Sequence, residues 1–117
     1  MKKILYILIV LFVSSNTYSQ SVSIVSWNIQ NFGKTRDSTE VKFMANTVKD
    51  YDIIAIQEMV TSKYADKGLE IFKFYLNDDC NCDKWEYSLS DKTGGSGTEK
   101  YAFIYNTDKV KLISDSL

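Results

Sequence analysis

The sequence predicts an α+β domain: a parallel strand–helix–strand unit, then a second helix and an antiparallel hairpin. Three patterns carry that expectation. Residues 22–28 (VSIVSWN) and 52–58 (DIIAIQE) are short runs rich in β-branched residues, and apolar residues between them recur at helical spacing. A strand, a helix and a strand within about forty residues form a crossover unit, which makes the two strands parallel. Farther along, 85–90 (WEYSLS) and 101–106 (YAFIYN) flank a glycine-bearing connection, as the arms of a hairpin do.

The elements follow in order. Lys2 and Lys3 precede an apolar run, Ile4 to Val13, and small polar residues continue to Ser19. This is the order of a secretory signal cleaved after Ser19, with an uncleaved anchor as the alternative, and the run is too short to span a bilayer. The expected division is therefore a signal peptide, 1–19, and a domain, 20–117, that is secreted or periplasmic with no stable membrane anchor. Removing Lys2 and Lys3 with no acid would move the net charge from −1 to −3. A mildly acidic surface argues against broad, non-specific nucleic-acid binding, but not against an enzyme that recruits phosphate through a metal.

Strand 22–28 comes first. Asp37 with Glu40 fits the D-x-x-E start of a helix, and Val41, Met44, Ala45 and Val48 form its apolar stripe, ending near Asp50. The unbroken apolar run in 52–58 reads as a strand buried on both faces. A second helix is expected over 62–77, with Tyr64, Gly68, Ile71 and Tyr75 on one face and Leu69, Phe72 and Leu76 beside them. The loop 91–100 (DKTGGSGTEK) reads as a flexible hairpin connection. It lacks the preceding strand, following helix and Lys-Ser/Thr ending of a phosphate cradle. KVKLIS (109–114) is expected to begin another strand. Cys80 and Cys82 suit a local disulfide or two free thiols; with no histidine in the chain, a metal site lacks a second pair of soft ligands.

Two polar residues close the parallel strands, Asn28 on the first and Glu58 on the second. Strand ends are often polar simply because strands must stop. The alternative is chemical: an amide oxygen and a carboxylate on neighbouring strands suit a hard divalent cation, with phosphate and water completing its shell. Such an ion polarises a phosphoryl oxygen and offsets charge that builds in the transition state.

SWNIQNFG (26–33), DIIAIQEM (52–59) and EKYAFIYN (99–106), in this order and spacing, resemble the opening motifs of the deoxyribonuclease-I-like endonuclease/exonuclease/phosphatase superfamily. The resemblance covers about residues 22–113 and, through Phe32-Gly33, is strongest to the secreted deoxyribonuclease I branch. It implies a two-layer β-sandwich of mixed sheets flanked by helices, of which this chain would be the N-terminal half. It also implies metal-assisted hydrolysis of phosphate esters, with Mg²⁺ (or Mn²⁺ or Ca²⁺) as cofactor. Glu58 matches the metal-binding glutamate, and Asn28 the asparagine that helps hold the ion or the substrate phosphate. Glu99 matches an acid that orients a catalytic histidine.

Gln30 and Val60 stand where the deoxyribonuclease I pattern has arginines, and each change removes a planar, phosphate-matching donor. The pattern also calls for histidines and an Asp-x-Asn pair in its second half, and this chain contains no histidine. The expectation is thus an N-terminal part whose partner is the missing C-terminal half, with little stability to spare, inactive and poorly folded alone. The substrate would be nucleic acid or another phosphodiester. Small phosphate esters or lipid head groups are the alternative, as is a non-catalytic remnant that binds a partner through an uncovered sheet face.

Overall fold

A computed structural model describes residues 20–34 and 37–114, so the expected signal segment, 1–19, lies outside the described residues. The elements run β1 (Ile24–Phe32), α1 (Ser38–Val48), β2 (Ile53–Met59), α2 (Tyr64–Cys80), β3 (Trp85–Leu89) and β4 (Lys100–Asn106). They form an α+β fold with one mixed four-stranded sheet in the order β1-β2-β4-β3. β1 and β2 pair in parallel, Ile24 opposite Ile53. β4 runs antiparallel to both β2 and β3, so the hairpin inserts its second arm into the middle of the sheet.

Both helices pack on one face. α1 begins where Asp37 accepts a hydrogen bond from the Glu40 N–H at 2.9 Å, satisfying one of the free donors of the first turn. Its stripe of Val41, Met44, Ala45 and Val48 is buried, as the spacing predicts. α2 starts two residues later than expected and runs three residues further, and it turns a different stripe inward: Ala65, Gly68, Leu69, Phe72 and Leu76. Tyr64, expected on the buried face, is 47% exposed. Ala65 and Leu69 lie a fraction of a turn away, and a small residue admits the close helix–strand approach that a tyrosine would block.

These side chains meet Ile54, Ile56, Ala102, Ile104 and Ile29 from the sheet in one continuous core. Asn81 in the left-handed region (φ 48°) ends α2, its N–H returning to the carbonyls of Asn77 and Asp78. The Asn77 side-chain oxygen then accepts from the Lys84 and Trp85 N–H groups, at 3.0 Å each, and starts β3. Cys80 and Cys82 are joined by a disulfide across this turn, which decides between the two thiol readings.

Two expectations about strands need correction. β2 is not buried on both faces: Ile54 and Ile56 are fully covered by the helices, whereas Ile53 and Ala55 are half-buried and Gln57 is exposed. Among the described residues no layer covers the second face, on which Phe103 and Tyr101 are also partly exposed. Residues 109–114 are not a strand. The N–H groups of Lys109 and Val110 both return to the Asn106 carbonyl, at 3.0 and 2.9 Å, so the chain turns instead of pairing. Val110, Leu112 and Ile113 then border the open face beside Ile53, Phe103 and Tyr105.

Candidate functional site

The site is built by two matching irregularities in β1 and β2. In a regular strand side chains alternate, so core-facing residues recur every second position. β2 obeys this through Ile54 and Ile56, but the next buried residue is Met59, three positions on. β1 does the same, passing from Ile29 to Phe32. Register slips between Ile56 and Met59 against β4, and between Asn28 and Phe32 against β2, before Phe32 and Met59 pair again. β2 takes three steps against two of β4, and β1 takes four against two of β2, so both strands carry extra residues, the defining feature of a β-bulge.

At each bulge a non-glycine residue adopts a left-handed backbone: Asn31 (φ 56°) on β1 and Glu58 (φ 56°) on β2. Such a conformation disfavours any side chain with a Cβ, and Asn tolerates it far better than Glu. Regular alternation would carry Glu58 onto the core face behind Ile56. The bulge gives that place to Met59 and leaves the Glu58 carboxylate half-buried at the sheet's edge of solvent.

There it meets Asn28. The Asn28 Nδ2 group donates to Glu58 Oε1 across the parallel pair. An ionised carboxylate only accepts, so the amide presents its N–H to Glu58 and keeps Oδ1 as its remaining acceptor. Asn28 is not the last residue of its strand, as the sequence reading had it. β1 continues four residues to Phe32, and Asn28 is the last position in register with β2 before the bulge. Glu58 likewise precedes the final residue of β2.

Glu58 opens onto a cleft of about 500 Å³ whose other walls include Gln30, Lys34, Val60 and Glu99. The structure thus brings Glu58 and Glu99 to one cavity, with Asn28 behind Glu58. Glu99 is held at the base of the glycine-bearing loop. Its N–H donates to Thr93 Oγ1 at 3.0 Å, and its carbonyl accepts from the Thr93 N–H at 2.8 Å. Gly97 and Thr98 of that loop also line the cleft, a role the reading as a bare connection did not foresee.

The other side of the cleft depends on a tight contact between the Phe32-Gly33 turn and α2. Gly33 (φ 104°) sits so close to the helix that a Cβ there would lie 2.7 Å from the Tyr64 carbonyl oxygen. A Cβ on Gly68 would in turn meet the Gly33 Cα at 3.0 Å. Tyr64 and Ser62, at the start of α2, reach the cleft by this docking. Sequence reasoning missed Lys34, Ser62 and Tyr64. The signal that could have found them was the three-residue spacing of Ile29–Phe32 and Ile56–Met59, which marks the bulges that turn these segments toward one another.

Among the described residues, no group of three His, Cys, Asp or Glu side chains could cage a metal ion. Mg²⁺ takes one or two carboxylates and fills its shell with water and phosphate, a demand that Glu58 meets. No helix among the described residues is long and apolar enough to cross a membrane.

Comparison with known proteins agrees with these motifs. No family model matches the chain. The chain is 30% identical over 96 residues to Deoxyribonuclease-1 of Bos taurus and 32% identical over 96 residues to Deoxyribonuclease-1 of Homo sapiens. Each match covers 80% of this chain and 33% of the relative, so the chain spans about a third of the length of the curated relatives it matches. The relationship is deoxyribonuclease-I-like and distant.

Proposed function

We propose that the Asn28–Glu58 pair is the metal- and phosphate-binding corner of a divalent-metal-dependent phosphodiester hydrolase of the deoxyribonuclease I type, acting on nucleic acid. One observation supports this above the others: Glu58 is held in a left-handed backbone inside a strand, at a cost of about 1–3 kcal/mol, where a glycine would sit without strain. Strain of this kind persists where a side chain's direction matters. Here it turns a carboxylate out of the core and into a cleft, within reach of the Asn28 amide.

In this reading the Asn28 N–H fixes the Glu58 carboxylate, leaving Oε2 as its outward ligand atom. A bound Mg²⁺ would supply Lewis-acid polarisation of the phosphoryl oxygen. Glu99, fixed by the Thr93–Glu99 rung, is the candidate orienting acid for a proton-transferring group. The chain has no histidine to fill that place. Domain 20–117 is then the N-terminal part of the hydrolase, and 1–19 its secretory signal. A second reading, small phosphate esters as substrates, draws support from the neutral Gln30 and Val60 on the cleft wall.

The test is Mg²⁺-dependent cleavage of supercoiled DNA by the 117-residue chain and by a version extended through the downstream reading frame, beside a phosphomonoester assay. The expected result is cleavage by the extended protein alone, lost in Glu58→Gln. Equal cleavage by Glu58→Gln would sink the assignment, and activity on the monoester alone would establish the second reading.

A further inference from the structure

The cleft contains a cation that the proposed reaction does not yet use. Lys34 lines it together with Glu58 and Glu99. Among the described residues its ammonium has no ion-pair or hydrogen-bond partner. Elsewhere on the surface Lys49 is held by Asp79 at 3.0 Å, and Lys73 by Glu70 and Glu86 at 3.4 and 3.5 Å. A lysine beside two carboxylates that is engaged with neither is free to receive another anion.

Its backbone is also fixed. The Lys34 N–H donates to the Asn31 carbonyl at 3.3 Å, closing the turn that begins at the β1 bulge. The Val60 N–H donates to the Phe32 carbonyl at 3.1 Å, tying that turn to β2 just past Glu58. Gly33, the residue before Lys34, is wedged against the first turn of α2. The Lys34 stem therefore departs from a rigid point on the cleft rim.

Electrostatics indicate which ligand needs it. Glu58 and Glu99 repel a phosphodiester entering the cleft, and Gln30, Val60 and Thr61 around them carry no charge to offset this. An ammonium on a flexible stem binds a phosphate as a point charge, with little demand on geometry. Resting on the hydrolase reading above, we propose that Lys34 is a positioning residue that holds a backbone phosphate of duplex DNA beside Glu58.

The experiment measures binding of a fluorescently labelled short DNA duplex to the full 117-residue chain in EDTA, over a range of salt concentrations. Without metal, hydrolysis is silent and only phosphate contact is read. Lys34→Ala is expected to weaken binding about 5- to 10-fold at low salt and to reduce the slope of log affinity against log salt by about one. Lys34→Arg should restore both. Lys111→Ala, which removes the same charge from outside the cleft, should leave the slope unchanged.

Equal effects of Lys34→Ala and Lys111→Ala would overturn the assignment, because they would mean general charge attraction only. So would absence of duplex binding by the unmodified chain. If the Lys34 effects appear but the extended protein never cleaves DNA, the hydrolase reading falls and the phosphate contact stands.

Discussion

Gly33→Ala is a test of the architecture that supports the cleft, because a second glycine supplies its own control. Gly33 and Gly95 have nearly the same backbone angle, φ 104° and 98°, but opposite surroundings. Around Gly95 nothing lies within 4 Å of a built Cβ. At Gly33 the Cβ would lie 2.7 Å from the Tyr64 carbonyl oxygen and 3.1 Å from the Ala65 Cα, both helix backbone that no rotamer change can move. Either alanine costs about 1–2 kcal/mol for a left-handed L-residue, less about 0.4–1 kcal/mol for restricting the unfolded chain. Gly95→Ala should therefore lower stability by about 0–1.5 kcal/mol, with a midpoint of about 0.8 kcal/mol. Gly33→Ala adds an overpacking penalty of about 1–3 kcal/mol, for a total of about 1–4.5 kcal/mol.

Equilibrium urea unfolding reads the difference, with the fluorescence of buried Trp85 as the signal. For a slope of about 1–3 kcal/mol per molar, a loss of about 3 kcal/mol moves the midpoint down by roughly 1–3 M. Gly95→Ala should move it by less than about 1 M on the same scale. Equal shifts for the two variants would show that the turn is not wedged against α2, and would remove the fixed point from which Lys34 departs.

Two further outcomes follow from the same geometry. If Glu58 is strained, Glu58→Gly should be more stable than Glu58→Ala by about 1 kcal/mol, reversing the usual strand preference for alanine; the usual order in a denaturation series would refute the left-handed assignment. Tyr87 is pushed up to about 12, first by burial and then by its hydrogen bond to Glu70, to which its hydroxyl donates at 2.9 Å. A raised pKa means the proton is held more tightly in the folded state. The stability linked to it is present in full below about 10, the ordinary tyrosine value, and is lost as pH climbs toward about 12. Tyr87→Phe should flatten that alkaline decline in a pH series of melting temperatures, and an unchanged decline would refute the linkage.

Local rules made some of the molecule readable. The Asp37 cap and the Val41, Met44, Ala45, Val48 stripe depend on neighbours within one or two helical turns, and both appear in the fold. The helical crossover between them makes β1 and β2 parallel, and the antiparallel β3–β4 pair follows from its two flanking runs. Tertiary contacts decided the rest. Tyr64 fits the helical period, but the approach of Gly33 to the start of α2 turns it outward. Residues 109–114 have strand composition, yet the carbonyl of Asn106 captures their first N–H groups. At the site, residue type pointed to Asn28 and Glu58 correctly as neighbours, and the structure links them by a hydrogen bond. Their setting in bulges was hidden, since alternation was counted without its slip.

The bulge in β1 also bears on how the protein avoids sticking to itself. β1 forms one margin of the four-stranded sheet, and its nine residues, IVSWNIQNF, include no charge and no proline. Such an edge invites another chain to add a strand, and proteins usually blunt it with lysine, proline or a kink. Here regular pairing with β2 runs only from Ile24 to Asn28 before the left-handed Asn31 bends the strand. The flat, templating stretch is cut to five residues. The kink that opens the cleft thus doubles as a gatekeeper against aggregation, and a variant that straightened β1 would trade away solubility along with the site.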